Sequence, residues 1–499
     1  MPANNGKPTI LALADDLRMN SGVATMMREL VLSTVHVFNW VQLAGAITHP
    51  DKGNAYDLSQ STNELKKMKD AYVKLYPVDG YGNEQVLFQI MSMERPNAVF
   101  HFTDPRFWGW LYAIEKQIRS NMPLVYLNIW DDIPYPRYNR PFYESCDALF
   151  SISKQTMNIN RWVLGPENCC EVGGGPMNGR TLLQYCPHGI DSDMFHPIEK
   201  DEKDFAEFKK RVFNGKEYKF VILYNSRNVH RKRTSNIILA YRQFCDSLPK
   251  EDAMKCALIL HTEIMQDAGT NLIAVKEAFC PDYNIIFSPG KLSPQDMCKL
   301  YNVADMTVNA SSNEGFGLSC AESIMSGTPV TVTVTGGLQD QIGQTDDEGK
   351  PVVFSADFGS NNIGRYKNHG PWAYPVWPVT RLVQGSIPTP YIFDDLTRWE
   401  DFSEGFMYWY LMGDKKRTEC GAKGREWALG EGGLNSKNMG QTFIDGMTYV
   451  FKNWQKPKRF SIHTIKDYVG NTMPNGHMGF TFDKIDKAPL LEKISKLKI

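Results

Sequence analysis

Two doubly wound α/β domains facing each other across a cleft are the fold class this sequence predicts, and three observations carry the prediction. From residue 9 to about 340, short apolar runs alternate with longer amphipathic stretches, the pattern of parallel sheets wrapped by helices. The runs fall into two series, one ending before Asp191 and one starting at Phe220, divided by the charged stretch from Glu199 to Lys219. The chain has 499 residues, 42% of them hydrophobic and 12% aromatic, which is enough material for two full cores.

The first series comprises Ile10–Ala14, Ala98–Phe102, Leu124–Ile129 and Ala148–Ile152. The second comprises Phe220–Asn225, Cys256–Thr262, Asn284–Phe287, Met306–Asn309 and Val330–Thr335. The domains expected from them are residues 1–198, a helical linker 199–219, residues 220–435, and a final helix and tail, 436–499, packing back on the first domain. After Gly337 the pattern breaks, and residues 343–398, rich in Gly, Pro, Asn and aromatics, are expected to form a long irregular insertion in the second domain. Its Trp372, Tyr374 and Trp377 either offer a stacking surface for a sugar or base or pack the insertion down. The tail from Lys456 is Lys-rich.

Charge and cysteine usage narrow the function classes. With 55 Lys+Arg against 56 Asp+Glu the net charge is −1, which excludes a polybasic nucleic-acid coat. No apolar run reaches the roughly 18 residues of a membrane-spanning helix. Asp15-Asp16 ends the first apolar run before a signal peptide is complete, so a cytoplasmic location is expected. The 10 cysteines form no C-x-x-C pair and read as buried thiols of a reducing compartment. The adjacent Cys169-Cys170 is either an incidental loop pair or a redox pair. No metal site is expected.

Three segments carry chemistry. Asp305 to Val330 reads strand, loop, helix, Gly stop, strand, and places Glu314-Gly315-Phe316-Gly317 at a helix amino terminus, where free N–H groups and the helix dipole favour a diphosphate. Glu322 lies about 8 Å further along that helix, at 1.5 Å per residue. Glu314 can then take sugar hydroxyls and Glu322 a ribose diol, although the same spacing also describes an ordinary loop acid and a surface helix residue. The second segment opens from Phe220–Asn225 into a basic loop where Arg227 and Lys232 are spaced to converge on a pyrophosphate; a solvated basic turn has the same composition. In the third, Ser21-Gly22 supplies a cap and a point of close approach at the first domain's crevice.

Taken together these residues resemble the retaining glycosyltransferases of the GT-B fold, in the large fourth family that uses nucleotide-diphosphate sugars. The resemblance also rests on Ala304-Asp305, on Ser326-Gly-Thr-Pro-Val330, and on Pro187-His-Gly189-Ile-Asp191-Ser-Asp-Met-Phe195, which looks like the family's hinge motif. It implies that Arg227 and Lys232 hold the pyrophosphate, and that Glu314 with the backbone of Phe316, Gly317 and Leu318 holds the sugar and β-phosphate. It further implies Glu322 for the ribose, the turn at Gly290, Lys291 and Leu292 for the base, and Gly22 at the donor phosphate. No cofactor and no metal are implied, with a UDP-sugar as co-substrate, because the basic pair supplies the charge a metal supplies elsewhere.

Where many members have His-x-His-(Glu/Asp)-Pro, this chain has His101-Phe102-Thr103-Asp104-Pro105, so Thr103 replaces the second His on the acceptor and sugar side formed by His101, Thr103 and Asp104. The chain, including Trp130-Asp131-Asp132, also looks like glycosyltransferases encoded by large bacterial viruses, some of which modify hydroxymethylated DNA bases. The implied reaction is retaining transfer to an acceptor hydroxyl, a DNA base among the acceptors. The alternatives are a glycan or protein acceptor, or a GT-B sugar-nucleotide epimerase or phosphorylase.

Overall fold

The computed structural model describes residues 3–352 and 366–457. Part of the expected insertion, and the Lys-rich tail from residue 458, lie outside the described residues. Residues 1–455 make one compact unit.

The first sheet uses β1 (Thr9–Asp15), β2 (Asn39–Gly45), β3 (Tyr56–Asp57), β4 (Val73–Pro77), β5 (Ala98–Phe102), β6 (Leu124–Asn128), β7 (Ala148–Ser151), β8 (Cys169–Glu171) and β9 (Thr181–Tyr185). Their order is β3-β4-β2-β1-β5-β6-β7-β9-β8, and only the edge strand β3 runs antiparallel to its neighbour. All of β1 is buried, as a parallel strand covered on both faces must be. Its side chains alternate: Ile10, Ala12 and Ala14 join one apolar cluster, Leu11 and Leu13 the other. Helix Gly22–Thr34 and the last described helix, Ser436–Asn453, cover the first face. Phe443 of the latter is fully buried, with ring centroids 5.3 Å from Phe100, 5.2 Å from Phe150 and 5.7 Å from Trp40.

The second sheet is parallel throughout, in the order β12-β11-β10-β13-β14-β15: β10 (Phe220–Asn225), β11 (Cys256–His261), β12 (Ile285–Phe287), β13 (Met306–Asn309), β14 (Val330–Thr333) and β15 (Ala373–Val376). Between the sheets the charged connection is helical at Lys203–Val212; it is solvated on one side only, because Phe205 and Phe208 are buried.

Every strand read from an apolar run is a strand. Among the strands missed, β2 and β4 have runs broken by polar residues, Gln42 in β2, which donates from the interior to the Asp15 carbonyl at 2.8 Å, and Lys74 in β4, while β3 and β8 are only two and three residues long. The insertion is more ordered than expected. Ala373–Val376 adds β15 to the sheet, and β16 (Thr380–Gln384) and β17 (Ile392–Leu396) form an antiparallel hairpin. Its aromatics are packing residues: Trp372 lies 4.9 Å from the Trp427 ring and donates to the Gln341 carbonyl at 3.1 Å, Tyr374 packs on Tyr408, and Trp377 rests on the core.

All ten cysteines are free thiols. Burial pushes the Cys169 thiol up to about 12 and Cys170 in the same direction, away from the reactive thiolate a redox pair needs. No helix among the described residues is long and apolar enough to cross a membrane.

Candidate functional site

In parallel sheets, ligands gather beyond the carboxyl ends of the strands, and the chemistry-bearing residues of this chain lie there. The loop after β13 carries Glu314 and the loop after β10 carries Lys232; the two side chains form a buried ion pair. Arg231 Nη1 stands 3.8 Å from the same carboxylate and donates to the Asn313 carbonyl at 2.7 Å, and the Ser311 hydroxyl reaches Glu314 at 3.2 Å. Burial pushes the Glu314 carboxyl up, but Lys232, Arg231 and Ser311 outweigh it and hold it below the ordinary value. Burial pulls Lys232 down, and the Arg231 charge adds to that pull against the attraction of Glu314. The pair is thus a fixed dipole with one extra cation beside it.

Sequence spacing puts Arg227 and Lys232 together as the basic pair. In the structure Lys232 is buried on Glu314 while Arg227 is exposed on the loop, and the cation beside the pair is Arg231. Arg231 belongs to the same basic loop, immediately before Lys232, but nothing in its spacing separates it from its neighbours.

Helix Leu318–Met325 begins at Gly317, whose φ of +92° is left-handed and whose missing Cβ would lie 2.4 Å from Leu338. No side chain caps it; Cys320 N donates to the Gly317 carbonyl at 3.0 Å, which leaves the N–H groups of Leu318 and Ser319 to face an anion. The Phe316 side chain is in the core, edge-on to His188 at 5.1 Å, and its carbonyl accepts from Gln341 at 2.6 Å, so only its backbone is placed to face a ligand. Four residues into the helix, Glu322 accepts from the Tyr301 hydroxyl at 2.7 Å, which in turn accepts from the Asn225 amide at 2.7 Å. Burial pushes the Glu322 carboxyl up to about 7 against the Tyr301 hydrogen bond. No motif in the sequence marks Tyr301. Lys291 and Leu292 follow β12 at the sheet edge, Lys291 exposed and Leu292 packed on the core.

The first domain closes on this site. A Cβ on Gly22 would lie 3.4 Å from Leu318, and one on Gly315 would lie 3.0 Å from the Ile129 carbonyl. Ser21 caps the helix at Gly22, accepting from Ala24 N at 3.0 Å while donating to Asp15 at 2.6 Å. Asp131, in the loop after β6, faces Arg231, Glu314 and Lys232; burial raises its carboxyl, Arg231 and Lys232 pull it down, and Glu314 pushes it further up.

The acceptor-side trio divides. His101 is fully buried, bonded to the Tyr112 hydroxyl at 2.8 Å and to Thr103 at 3.2 Å, stacked on Tyr126 at 5.0 Å, and pulled by burial down to about 3. Thr103 is buried too and accepts from Trp108 at 2.6 Å. Neither reaches the cleft, because the aromatic packing that surrounds them claims their polar atoms; Tyr126 and Asp104 line it instead. Asp191 of the hinge motif accepts from Asp193 N at 2.9 Å, a turn bond.

Three of the four Lys and Arg side chains of the basic run are held within the protein, Lys232 by Glu314, Arg231 by Asn313 and Arg233 by Asp394 at 3.0 Å, and Arg227 is left exposed by itself, so an acceptor made of hydroxymethylated DNA gains no support from this face.

Residues 205–353 match the family model for glycosyl transferases group 1. The chain is similar to mannosylfructose-phosphate synthase of Agrobacterium fabrum, 26% identical over 190 residues, which is 37% of this chain and 39% of that relative's length. Its fold is similar to that of sucrose-phosphate synthase from Thermosynechococcus elongatus, with a TM-score of 0.61 and 13% identity over 89% of this chain and 99% of that one. It is likewise similar to Anabaena HepE, solved in complex with UDP and glucose, with a TM-score of 0.58 and 12% identity over 88% of this chain and 99% of that one. The two-sheet architecture is the GT-B fold.

Proposed function

We propose, on the premise that residues 205–353 form a glycosyl transferases group 1 domain, that this chain moves a sugar from a nucleotide-diphosphate sugar to an acceptor hydroxyl. The observation that carries the reading is the buried Lys232–Glu314 pair with Arg231 beside it, set next to an uncapped helix amino terminus and facing Gly22 and Asp131 of the first domain. A UDP-sugar is the donor we favour, since HepE, similar in fold, was solved with UDP.

In this reading the diphosphate lies at the amino terminus of Leu318–Met325, with Gly317 and Leu318 N–H groups and the Arg227 and Lys232 cations stabilising its charge. Glu314 takes sugar hydroxyls and Glu322, oriented by Tyr301, the ribose diol. The bond from the sugar's anomeric carbon to the β-phosphate oxygen breaks, and the acceptor oxygen bonds to that carbon on the same face. Bonding on that same face retains the configuration, and because the acceptor proton passes to the departing phosphate oxygen no protein base is required. The cations supply the charge stabilisation for which other transferases use a metal. Ten free thiols, nine of them buried, fit the reducing cytoplasm where we place the reaction.

The test uses Arg227, because its exposure separates catalysis from folding. With a UDP-sugar panel, Arg227→Ala is expected to lower kcat/KM for nucleoside diphosphate release by about 10²-fold while Tm stays put. Unchanged turnover in Arg227→Ala, or no donor bound by the wild-type chain, would overturn the reading.

A further inference from the structure

The hairpin β16–β17 crosses from the second domain to the first and is bonded to both. On the second-domain side Asp394, buried, accepts from Arg233 at 3.0 Å, from the Ser312 hydroxyl at 2.9 Å and from the Asn313 amide at 2.9 Å. Its neighbour Asp395 accepts from Arg381 and from Thr335, each at 2.8 Å, and its N–H donates to the Ser312 carbonyl at 2.9 Å. On the first-domain side Phe393 N donates to the Ile133 carbonyl at 2.9 Å, Tyr138 donates to the Tyr391 carbonyl at 2.8 Å, and Arg106 reaches Thr389. Ile392 packs into the first domain's apolar cluster.

Under this strap lies a cavity of about 310 Å³. Asp104, Arg106, Trp130 and Asp131 wall it from the first domain, and Arg231 and Asn313 from the second. Gln384, Thr389 and Ile392 of the hairpin close one side. Two facts point to a ligand. Asn313, one residue before Glu314 and 3% exposed, keeps its side-chain Oδ1 buried without a hydrogen-bond partner among the described residues. Arg106, paired with Asp104 at 2.8 Å, lies 5.3 Å over the Trp130 ring, so an aromatic wall and fixed donors and acceptors share one small space. That mixture of apolar face and convergent polar groups is how small hydroxylated molecules are held. The volume sits at the bottom of the range of about 300–1,000 Å³ for small-molecule sites.

Resting on the glycosyltransferase reading above, we infer that this cavity is the acceptor subsite and that the hairpin closes it around a monosaccharide-sized, hydroxyl-rich acceptor, excluding oligosaccharides and nucleic acid. Arg231 and Asn313 flank Glu314, so an acceptor hydroxyl in the cavity stands beside the sugar Glu314 holds. The two lining acids and two lining arginines balance, which a polyol accepts and a polyanion does not.

The experiment first titrates UDP-sugars by calorimetry without acceptor, then assays transfer with the bound donor to free and phosphorylated hexoses and inositol, to trisaccharides, and to hydroxymethylated duplex DNA. Gln384→Trp, on the exposed rim of the hairpin, and Thr389→Trp, under its tip, narrow the cavity from a segment outside both sheets. Transfer to monosaccharide-sized acceptors, with acceptor KM raised about tenfold in either variant and donor KM changed by less than about twofold, is the expected result. Donor binding with transfer that prefers trisaccharides or DNA, or with acceptor KM unmoved by both variants, overturns the inference alone. Absence of donor binding overturns the glycosyltransferase reading and the inference with it.

Discussion

In the proposed donor site, Glu322 is the residue through which pH enters. Its carboxyl, pushed by burial from 4.5 to about 7, is more easily protonated folded than unfolded, so its contribution to stability falls as pH rises through that window. Ribose hydroxyls donate to a carboxylate, so donor affinity moves the other way, rising as Glu322 ionises. Calorimetric titration of UDP is expected to show Kd weakening by up to about tenfold per unit as pH falls below about 7, and Glu322→Gln to bind weakly with that slope gone. Tyr301 supplies the opposing hydrogen bond at 2.7 Å, so Tyr301→Phe is expected to carry the midpoint of the profile to higher pH. An unshifted midpoint would mean that Tyr301 only packs. Glu322 itself was legible from its distance along a helix that starts at a glycine-rich loop. Tyr301 was not, because its role depends on a helix 21 residues earlier in the chain lying against this one.

At the scale of elements, the strands that could be read were those buried on both faces, where an uninterrupted apolar run is the whole signal. β2 and β4 escaped because Gln42 and Lys74 break their runs, and only the folded domain supplies the partners that make those polar residues tolerable: the Asp15 carbonyl of β1 for Gln42, and Glu94 of an adjoining helix for Lys74. β15 and the hairpin were hidden among prolines, glycines and aromatics, and β15 pairs with β14 next to Trp372, which packs on Trp427 from a helix more than fifty residues later in the chain. Helix Ser436–Asn453 is the element with the clearest energetic consequence. Phe443 fills the space between Trp40, Phe100 and Phe150, so Phe443→Ala removes the side chain that joins this helix to the first sheet. Its cost is expected at about 3–5 kcal/mol by denaturant unfolding, the range for a fully buried aromatic. A loss below about 1 kcal/mol would mean that the helix is held elsewhere.

For the whole molecule, the two sheets matter through how closely their loops approach. Asp131 and Arg231 became site residues only because the first domain brings the loop after β6 against the loop after β10, a proximity that no spacing within the chain encodes. Gly22 lets this closure be tuned without touching a charged group. A Cβ there meets Leu318 at 3.4 Å, an ordinary van der Waals contact, so Gly22→Ala fits. The branched methyls of Gly22→Val extend beyond that contact and must push Leu318, and with it the helix amino terminus, away from the first domain. Residue 22 opens a helix, where valine costs a few tenths of a kcal/mol at most, so the protein remains folded. The expected series is near wild-type turnover for Gly22→Ala and a fall of at least about tenfold in kcat/KM for Gly22→Val, because misplacing the reacting groups by an ångström is enough. Small-angle scattering should show a larger radius of gyration for Gly22→Val than for Gly22→Ala. Equal turnover in the two variants would show that the cleft works without this contact, and that the closure seen here is not the geometry in which the reaction occurs.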